Sequence, residues 1–424
     1  MIHLIFYLAF IGMVGVVYII RPRWTYLSLF PLIILLGIIA VQVPFQNLIE
    51  GMFGYITEIL TVAFGAVFIH VLKSTGSLEN LTVAWVRFAG RNRFLSLLGI
   101  MVIGLIPGMA TGSALYSYAF LAVVMLPLLK EMGISEVKGG ALLLTTSALG
   151  MMAPPVNIPL MIMNGSNWGS ITGVYPFMWL IVLPGVVLSA VFFSIVCRSE
   201  FTGAIGPTRT RLQTTDVTGV VIFLGLLVLR GFFPKGVLGQ IGLPLIFLVG
   251  AVFHWLLYKE KKESFFAVSQ EAVAGVRQLL LLFVACSLVL HVSQYAATQN
   301  VAVGFAKNLP IGYSILILVV VGVFFGALWE GLAALVVLPI YFINTLMAYY
   351  SAVVASSAIF TAFAACLVGL GIFLPFAWKR TVIESGPFVK GMGRLVMVPA
   401  LSLLIWLLLV YWKVGVWFHQ LLLS

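Results

Sequence analysis

Two stretches of this chain gather the residue types that can coordinate a hard cation away from water. The first is Ile106-Pro107-Gly108-Met109-Ala110-Thr111-Gly112-Ser113-Ala114. Pro107 removes a backbone donor, and Gly108 and Gly112 permit dihedrals that interrupt a helix. Thr111 and Ser113 add hydroxyl oxygens beside the freed carbonyls, an oxygen-rich set suited to Na⁺ at Thr111, Gly112 and Ser113. A second reading fits the same residues, because Gly108-xxx-Gly112 is also a small-residue helix-packing pattern. The second stretch is Phe325-Gly326-Ala327-Leu328-Trp329-Glu330-Gly331-Leu332, which sets a carboxylate in an apolar run. An intramembrane carboxylate is costly and therefore a functional candidate. Glu330, with Gly331 beside it, could bind a cation, carry a proton, or pair with a buried donor.

Each of these stretches is followed by a proline break. Met152-Ala153-Pro154-Pro155-Val156-Asn157-Ile158-Pro159 cannot continue a regular helix, and Asn157 is a polar side chain in apolar surroundings able to touch an ion or a substrate. Its later counterpart is Gly371-Ile372-Phe373-Leu374-Pro375-Phe376-Ala377-Trp378. Each is also preceded by an apolar segment with a small polar patch. In 55–90 the patch is Lys73-Ser74-Thr75-Gly76-Ser77, and in 276–308 it is Gln294-Tyr295-Ala296-Ala297-Thr298-Gln299-Asn300. A re-entrant hairpin has this pattern, and so does a plain span followed by an interfacial helix. Glu58, His70 and His291 lie in the same apolar runs as weaker candidates, and the two solitary histidines read as hydrogen-bonded packing residues rather than ligands. The order hairpin, glycine-rich break, proline break thus occurs twice, as expected of two inverted repeats with a site between them.

The elements that position these residues are membrane helices. The chain has 424 residues, 62% hydrophobic and 8% charged, whereas soluble domains carry about 25% charged residues. Apolar runs near 2–20, 25–43, 94–106, 114–129, 139–152, 174–197, 217–233, 240–257, 313–329, 331–350, 352–373 and 395–417 are the predicted helices. Residues 2–20 lack the basic start and cleavage site of a signal peptide and read as the first span. The expected fold class is an all-α polytopic membrane protein with about 11–12 transmembrane helices, two re-entrant hairpins and two inverted repeats of broken helices. Its expected parts are a two-helix segment over 1–50, a first repeat over 51–200, connecting loop and arm helices over 201–275, and a second repeat with the C-terminal helix over 276–424. Residues 198–216, ending at the chain's sole aspartate, Asp216, read as a linker.

A net charge of +11 is no sign of nucleic-acid binding here. The basic residues fall in short loops (Arg21/Arg23, Arg87/Arg91/Arg93, Arg198/Arg209/Arg211, Lys259/Lys261/Lys262), which the positive-inside rule places in the cytoplasm, with the N-terminus outside. Cys197, Cys286 and Cys366 have no paired spacing. There is no G-x-S-x-G, Walker loop, H-x-x-x-H or C-x-x-C, so neither an enzyme nor a cofactor is expected. Without a nucleotide-binding loop, transport must draw on an ion gradient or a separate partner.

At these landmarks the chain resembles the large membrane subunit of TRAP transporters, the DctM-like permeases of the ion transporter superfamily, over roughly residues 55–400. Lys73-Ser74-Thr75-Gly76-Ser77 is similar to the family's first hairpin tip. Thr111-Gly112-Ser113-Ala114 resembles its Ser-Gly-Ser-Ala break, and Pro127, Met132-Gly133 and Pro154-Pro155 follow at similar spacing. Gln294 to Val301 falls at the second tip, and Phe325–Glu330 resembles the "LGxFxD" segment, followed by Pro339. The resemblance implies an elevator-type, sodium-coupled importer of organic acid anions such as C4-dicarboxylates in a prokaryotic cytoplasmic (inner) membrane. A four-helix small membrane subunit and a periplasmic substrate-binding protein would complete it, surrounded by membrane lipid. Ion-binding residues would be Thr75, Gly76, Gly108, Thr111, Gly112, Ser113, Glu330 and Gly331. Substrate-binding residues would be Pro154, Pro155, Asn157, Thr298 and Pro375. The chain departs from the family at Leu374-Pro375-Phe376-Ala377-Trp378, which lacks the hydroxyl, second proline and glycine of the second break, and Val156 stands where the first break has serine. A stand-alone ion-coupled permease or antiporter of the same superfamily, and a non-transporting assembly subunit, are the alternatives.

Overall fold

The structure is a computed structural model that describes residues 43–158, 174–203, 212–232, 242–258, 263–295 and 391–406, with a few isolated positions besides. Every described element is a helix. They are α1 (Phe45–Met52), α2 (Ile56–Ser74), α3 (Ser77–Ala89), α4 (Arg93–Thr111), α5 (Ala114–Val124), α6 (Leu126–Glu131) and α7 (Glu136–Met152). Then follow α8 (Val174–Val196), α9 (Thr214–Phe232), α10 (Leu243–Leu257), α11 (Phe265–Tyr295) and α12 (Met392–Trp406). Three helical runs among the described residues are long and apolar enough to cross a membrane: Phe45–Ser74, Arg93–Thr111 and Phe265–Ala285. The chain is an all-α membrane protein, as its composition requires.

Two helices act as hubs. α7 packs against α4, α5, α6, α8 and α12, while α2 packs against α10 and α11, and α9 lies against α10. The two groups meet where α2 and α3 pack on α4. Nearly all of α7 is buried, so its polar side chains must be satisfied within the helix. Thr145, Thr146 and Ser147 each donate to the carbonyl four residues back, at 2.9, 2.8 and 2.8 Å. α8 carries the opposite signature, with Leu183, Val187, Val191 and Ile195 exposed along one face. In an all-α membrane protein such a stripe belongs in lipid.

Helix ends show how the sequence sets the breaks. Asn92 caps α4 by accepting from the Leu95 N–H at 3.1 Å, and Ser113 caps α5 by accepting from the Tyr116 N–H at 3.1 Å. Pro107 does not interrupt the chain as the sequence suggested: α4 runs through it to Thr111. The interruption falls at Gly112, which has φ +65°, a left-handed conformation that suits glycine. The predicted patch at 73–77 is a true break between α2 and α3, with Gly76 at φ +72°. Gln294 and Tyr295 still belong to α11, a continuous 31-residue helix. The remainder of the second tip with Thr298, the Glu330–Gly331 stretch, the break at Pro375, the segment 1–42 and most of the expected second repeat lie outside the described residues.

Candidate functional site

The α4–α5 break is the better-formed candidate. Thr111, Ser113 and Ser117 are all buried. The Thr111 hydroxyl donates to the Pro107 carbonyl at 2.7 Å, occupying the carbonyl oxygen four residues back, and lies 3.3 Å from Ser117 Oγ. Ser117 donates to the Ser113 carbonyl at 2.6 Å. A hydroxyl whose hydrogen is committed to a carbonyl keeps its oxygen lone pairs as acceptors. The negative C-terminal end of α4 and the positive N-terminal end of α5 therefore meet at Gly112–Ser113, with hydroxyl oxygens beside them. Carbonyls at such an end favour a cation, and amides at such a start favour an anionic group.

Neighbouring backbones hold this break tightly. A Cβ at Gly65 of α2 would lie 2.0 Å from the Ala110 carbonyl oxygen, and one at Gly108 would lie 2.5 Å from the Gly150 carbonyl carbon. The packing reading of Gly108 describes this contact, for the glycine packs α4 on α7 one turn before the break. The proline stretch closes the other side. A Cβ at Gly112 would lie 2.7 Å from Ile158 and 3.1 Å from Val156. Asn157 is fully buried, and its amide donates to the Met151 carbonyl at 3.3 Å. The Pro154–Pro155 bond is cis. Gly108, Thr111, Gly112 and Ser113 therefore do gather with the Pro154-Pro155-Asn157 stretch.

Thr75 and Gly76 go elsewhere. Thr75 Oγ1 donates to the Val71 carbonyl at 2.9 Å and lies 2.9 Å from Ser77 Oγ and 3.2 Å from His254 Nε2. Ser77 donates to Asp216 Oδ1 at 2.7 Å and lies 3.0 Å from His254 Nε2. Asp216 also accepts from Asn80 Nδ2 at 3.0 Å, from the Gln213 N–H at 2.9 Å and from the Tyr258 hydroxyl. Since Thr75 and Ser77 give their hydrogens to other acceptors, the His254 hydrogen must sit on Nε2 and donate to them. Its Nδ1 has no partner and faces Gly219, where a Cβ would lie 1.7 Å away. Asp216 and His254 are both fully buried. Surrounded by donors, this carboxylate offers no free lone-pair face for a metal ion; it fastens the 75–80 turn to α9 and α10.

The sequence reading missed this clamp. Asp216 was assigned to a linker, yet it sits in the first turn of α9, where a carboxylate suits the helix dipole. A lone aspartate directly before an apolar run was the available signal. His254, inside the apolar run 240–257, carries no such signal.

Beyond the end of α8, Glu200 accepts from Lys138 Nζ at 2.8 Å and from the Ser135 N–H at 3.1 Å. The Lys138 hydrogen bond, then the Ser135 N–H, lower its pKa below the ordinary carboxylate value. This pair ties the end of α8 to the start of α7.

These helices define a class, the all-α membrane proteins. The chain is similar to the crystal structure of the Alcanivorax borkumensis YdaH transporter, reported to have an unusual topology, with a TM-score of 0.57 and 15% identity over 89% of this chain and 88% of that one. No protein-family profile and no curated protein sequence matches it.

Proposed function

We propose that the chain is a secondary active transporter that couples Na⁺ to uptake of a small organic acid anion, in the manner of a TRAP-type permease. The observation that carries this reading is the α4–α5 break, where buried hydroxyl oxygens and a helix C-terminus converge without any fixed charge. A monovalent cation suits such a site, because neutral oxygens replace its hydration shell without binding it too firmly to leave. The adjoining N-terminus of α5 gives an anionic substrate group a favourable end to face. Likeness of fold to a membrane transporter over most of both chains supports the general class.

On this reading the hydroxyl-lined break is occluded in the present conformation, and cargo crosses by an elevator movement of the helices that carry it. The host membrane is the cytoplasmic membrane of a prokaryote, and a small four-helix membrane subunit and a periplasmic substrate-binding protein act with it. The test is thermal stability of the purified protein across a Na⁺ titration, with K⁺ or choline holding ionic strength constant. An ion that binds the folded state raises the melting temperature by mass action. A Na⁺-specific rise that disappears in Thr111→Ala/Ser113→Ala upholds the proposal. Equal stability in Na⁺ and K⁺ refutes sodium binding at the break.

A further inference from the structure

A row of ionisable groups runs from the break to the exposed flank of α11, and sodium chemistry makes no use of it. Tyr116, in the first turn of α5, places its hydroxyl oxygen 3.0 Å from His70 Nδ1 on α2. The Ala66 carbonyl oxygen lies 3.2 Å from the same nitrogen. On the other side of the ring, His70 Nε2 is 3.8 Å from Glu271 Oε1, within ion-pair range. Glu271 also takes Lys73 Nζ at 3.1 Å, and its side chain is 56% exposed, against 10% for that of His70. Exposure therefore rises along the row from the buried Tyr116 outward. The ring of Tyr116 fits against α11 because residue 275 is glycine; a Cβ there would lie 3.0 Å from Tyr116 Cε2. Phe120 covers the imidazole at a centroid distance of 6.0 Å.

Nδ1 thus faces a carbonyl oxygen and a phenol hydroxyl that donates to a bare nitrogen or accepts from a protonated one, and Nε2 faces a carboxylate. A neutral imidazole carries one hydrogen and can donate from one nitrogen only. Only the doubly protonated ring donates on both sides. The charged and titratable groups facing it are Glu271 from α11, Tyr116 from α5 and Lys73 from its own helix. Glu271 favours the charged ring and Lys73 opposes it, with the carboxylate interposed between the two cations.

We propose that His70 is a proton-binding site, filled past Glu271 on the exposed flank of α11, and that Tyr116 reports its occupancy to the first turn of α5. One proton binds, both ring nitrogens then donate, and the Tyr116 oxygen becomes an acceptor whose own hydrogen must turn away from the ring. Because the Tyr116 N–H is also the one capped by Ser113, a proton on α2 is felt where the break begins. This makes the proton a second ligand of the same machinery. The inference rests on the geometry of α2, α5 and α11 and not on sodium binding.

The test is ring-nitrogen NMR of the ¹⁵N-histidine protein in sodium-free choline buffer, from about pH 8 to about pH 5.5, the window in which imidazole changes charge. The signal absent in His70→Gln should move from the neutral to the doubly protonated position, and in Glu271→Gln it should stay neutral over the same range. Should His70→Gln fail to fold, Tyr116→Phe identifies the signal by displacing the Nδ1 line of one histidine. The ¹³Cζ line of Tyr116 should move with the same midpoint as His70. A wild-type His70 signal that stays neutral throughout, a Glu271→Gln protein that titrates like wild type, or a Tyr116 line indifferent to pH each overturns the proposal. Since no sodium is present, none of these outcomes bears on the sodium reading.

Discussion

The clamp around Asp216 and the break at Gly112–Ser113 are both buried and both polar, yet they are built on opposite plans. At the clamp a full negative charge is met by hydrogens from Ser77, Asn80, Tyr258 and the Gln213 amide. At the break there is no charge at all, and the hydroxyl hydrogens of Thr111 and Ser117 point back into their own helices. A saturated carboxylate fixes two elements together, since removing any partner leaves a buried group unpaired. A set of neutral oxygens with lone pairs in reserve can accept a passing cation and release it. Burial of polar atoms alone does not tell the two plans apart; the direction in which their hydrogens point does.

The contrast can be broken at its strongest point first. Asp216→Ala should destabilise the protein by about 3 kcal/mol, because several buried donors lose their acceptor together. Chemical or thermal unfolding in detergent measures it, and a loss below about 1 kcal/mol would mean that the clamp anchors nothing. Next in size, Gly65→Ala should cost about 2 kcal/mol by driving a methyl group into the Ala110 carbonyl, with no polar group removed. That variant separates the shape of the break from its chemistry.

Smaller but more telling is the ion response. At roughly tenfold excess of Na⁺ over its Kd, the stabilisation should be on the order of 1.4 kcal/mol. Thr111→Ala/Ser113→Ala should abolish it, while Asp216→Asn, if folded, should retain it. The reverse pattern would exchange the roles of the two regions.

The smallest effect lies outside both. Glu200 has a folded-state pKa below its ordinary value, so its contribution is full at neutral pH and fades as pH falls through that lowered value. Being a partly exposed pair with Lys138, it is worth a few tenths of a kcal/mol. Glu200→Gln should flatten the acid side of the stability curve slightly and leave the Na⁺ response intact.

Much of the described fold was legible in the sequence, because apolar length and loop charge are local properties. The helices at 174–196, 214–232 and 243–257 fall close to where the apolar runs put them. The turn at 75–76 and the left-handed Gly112 were legible because glycine readily takes the positive φ that a helix break needs. Pro107 misled because α4, buried around that residue, continues through one missing donor. The clamp was illegible for a different reason: Ser77, Asp216 and His254 are 139 and 177 residues apart along the chain. Nothing local in any of the three reveals that they meet. His70 was likewise read as a packing residue, for its partners Tyr116 and Glu271 come from distant helices.

The glycine contacts have a mechanical meaning. Where Gly65 meets Ala110 and Gly108 meets Gly150, main chain touches main chain with no layer of flexible side chains between. Such joints have little slack, so a displacement of α2 or α7 is felt directly at α4. Any displacement of one of these three helices is therefore shared by the other two, and bending between rigid parts belongs to the segments that flank them.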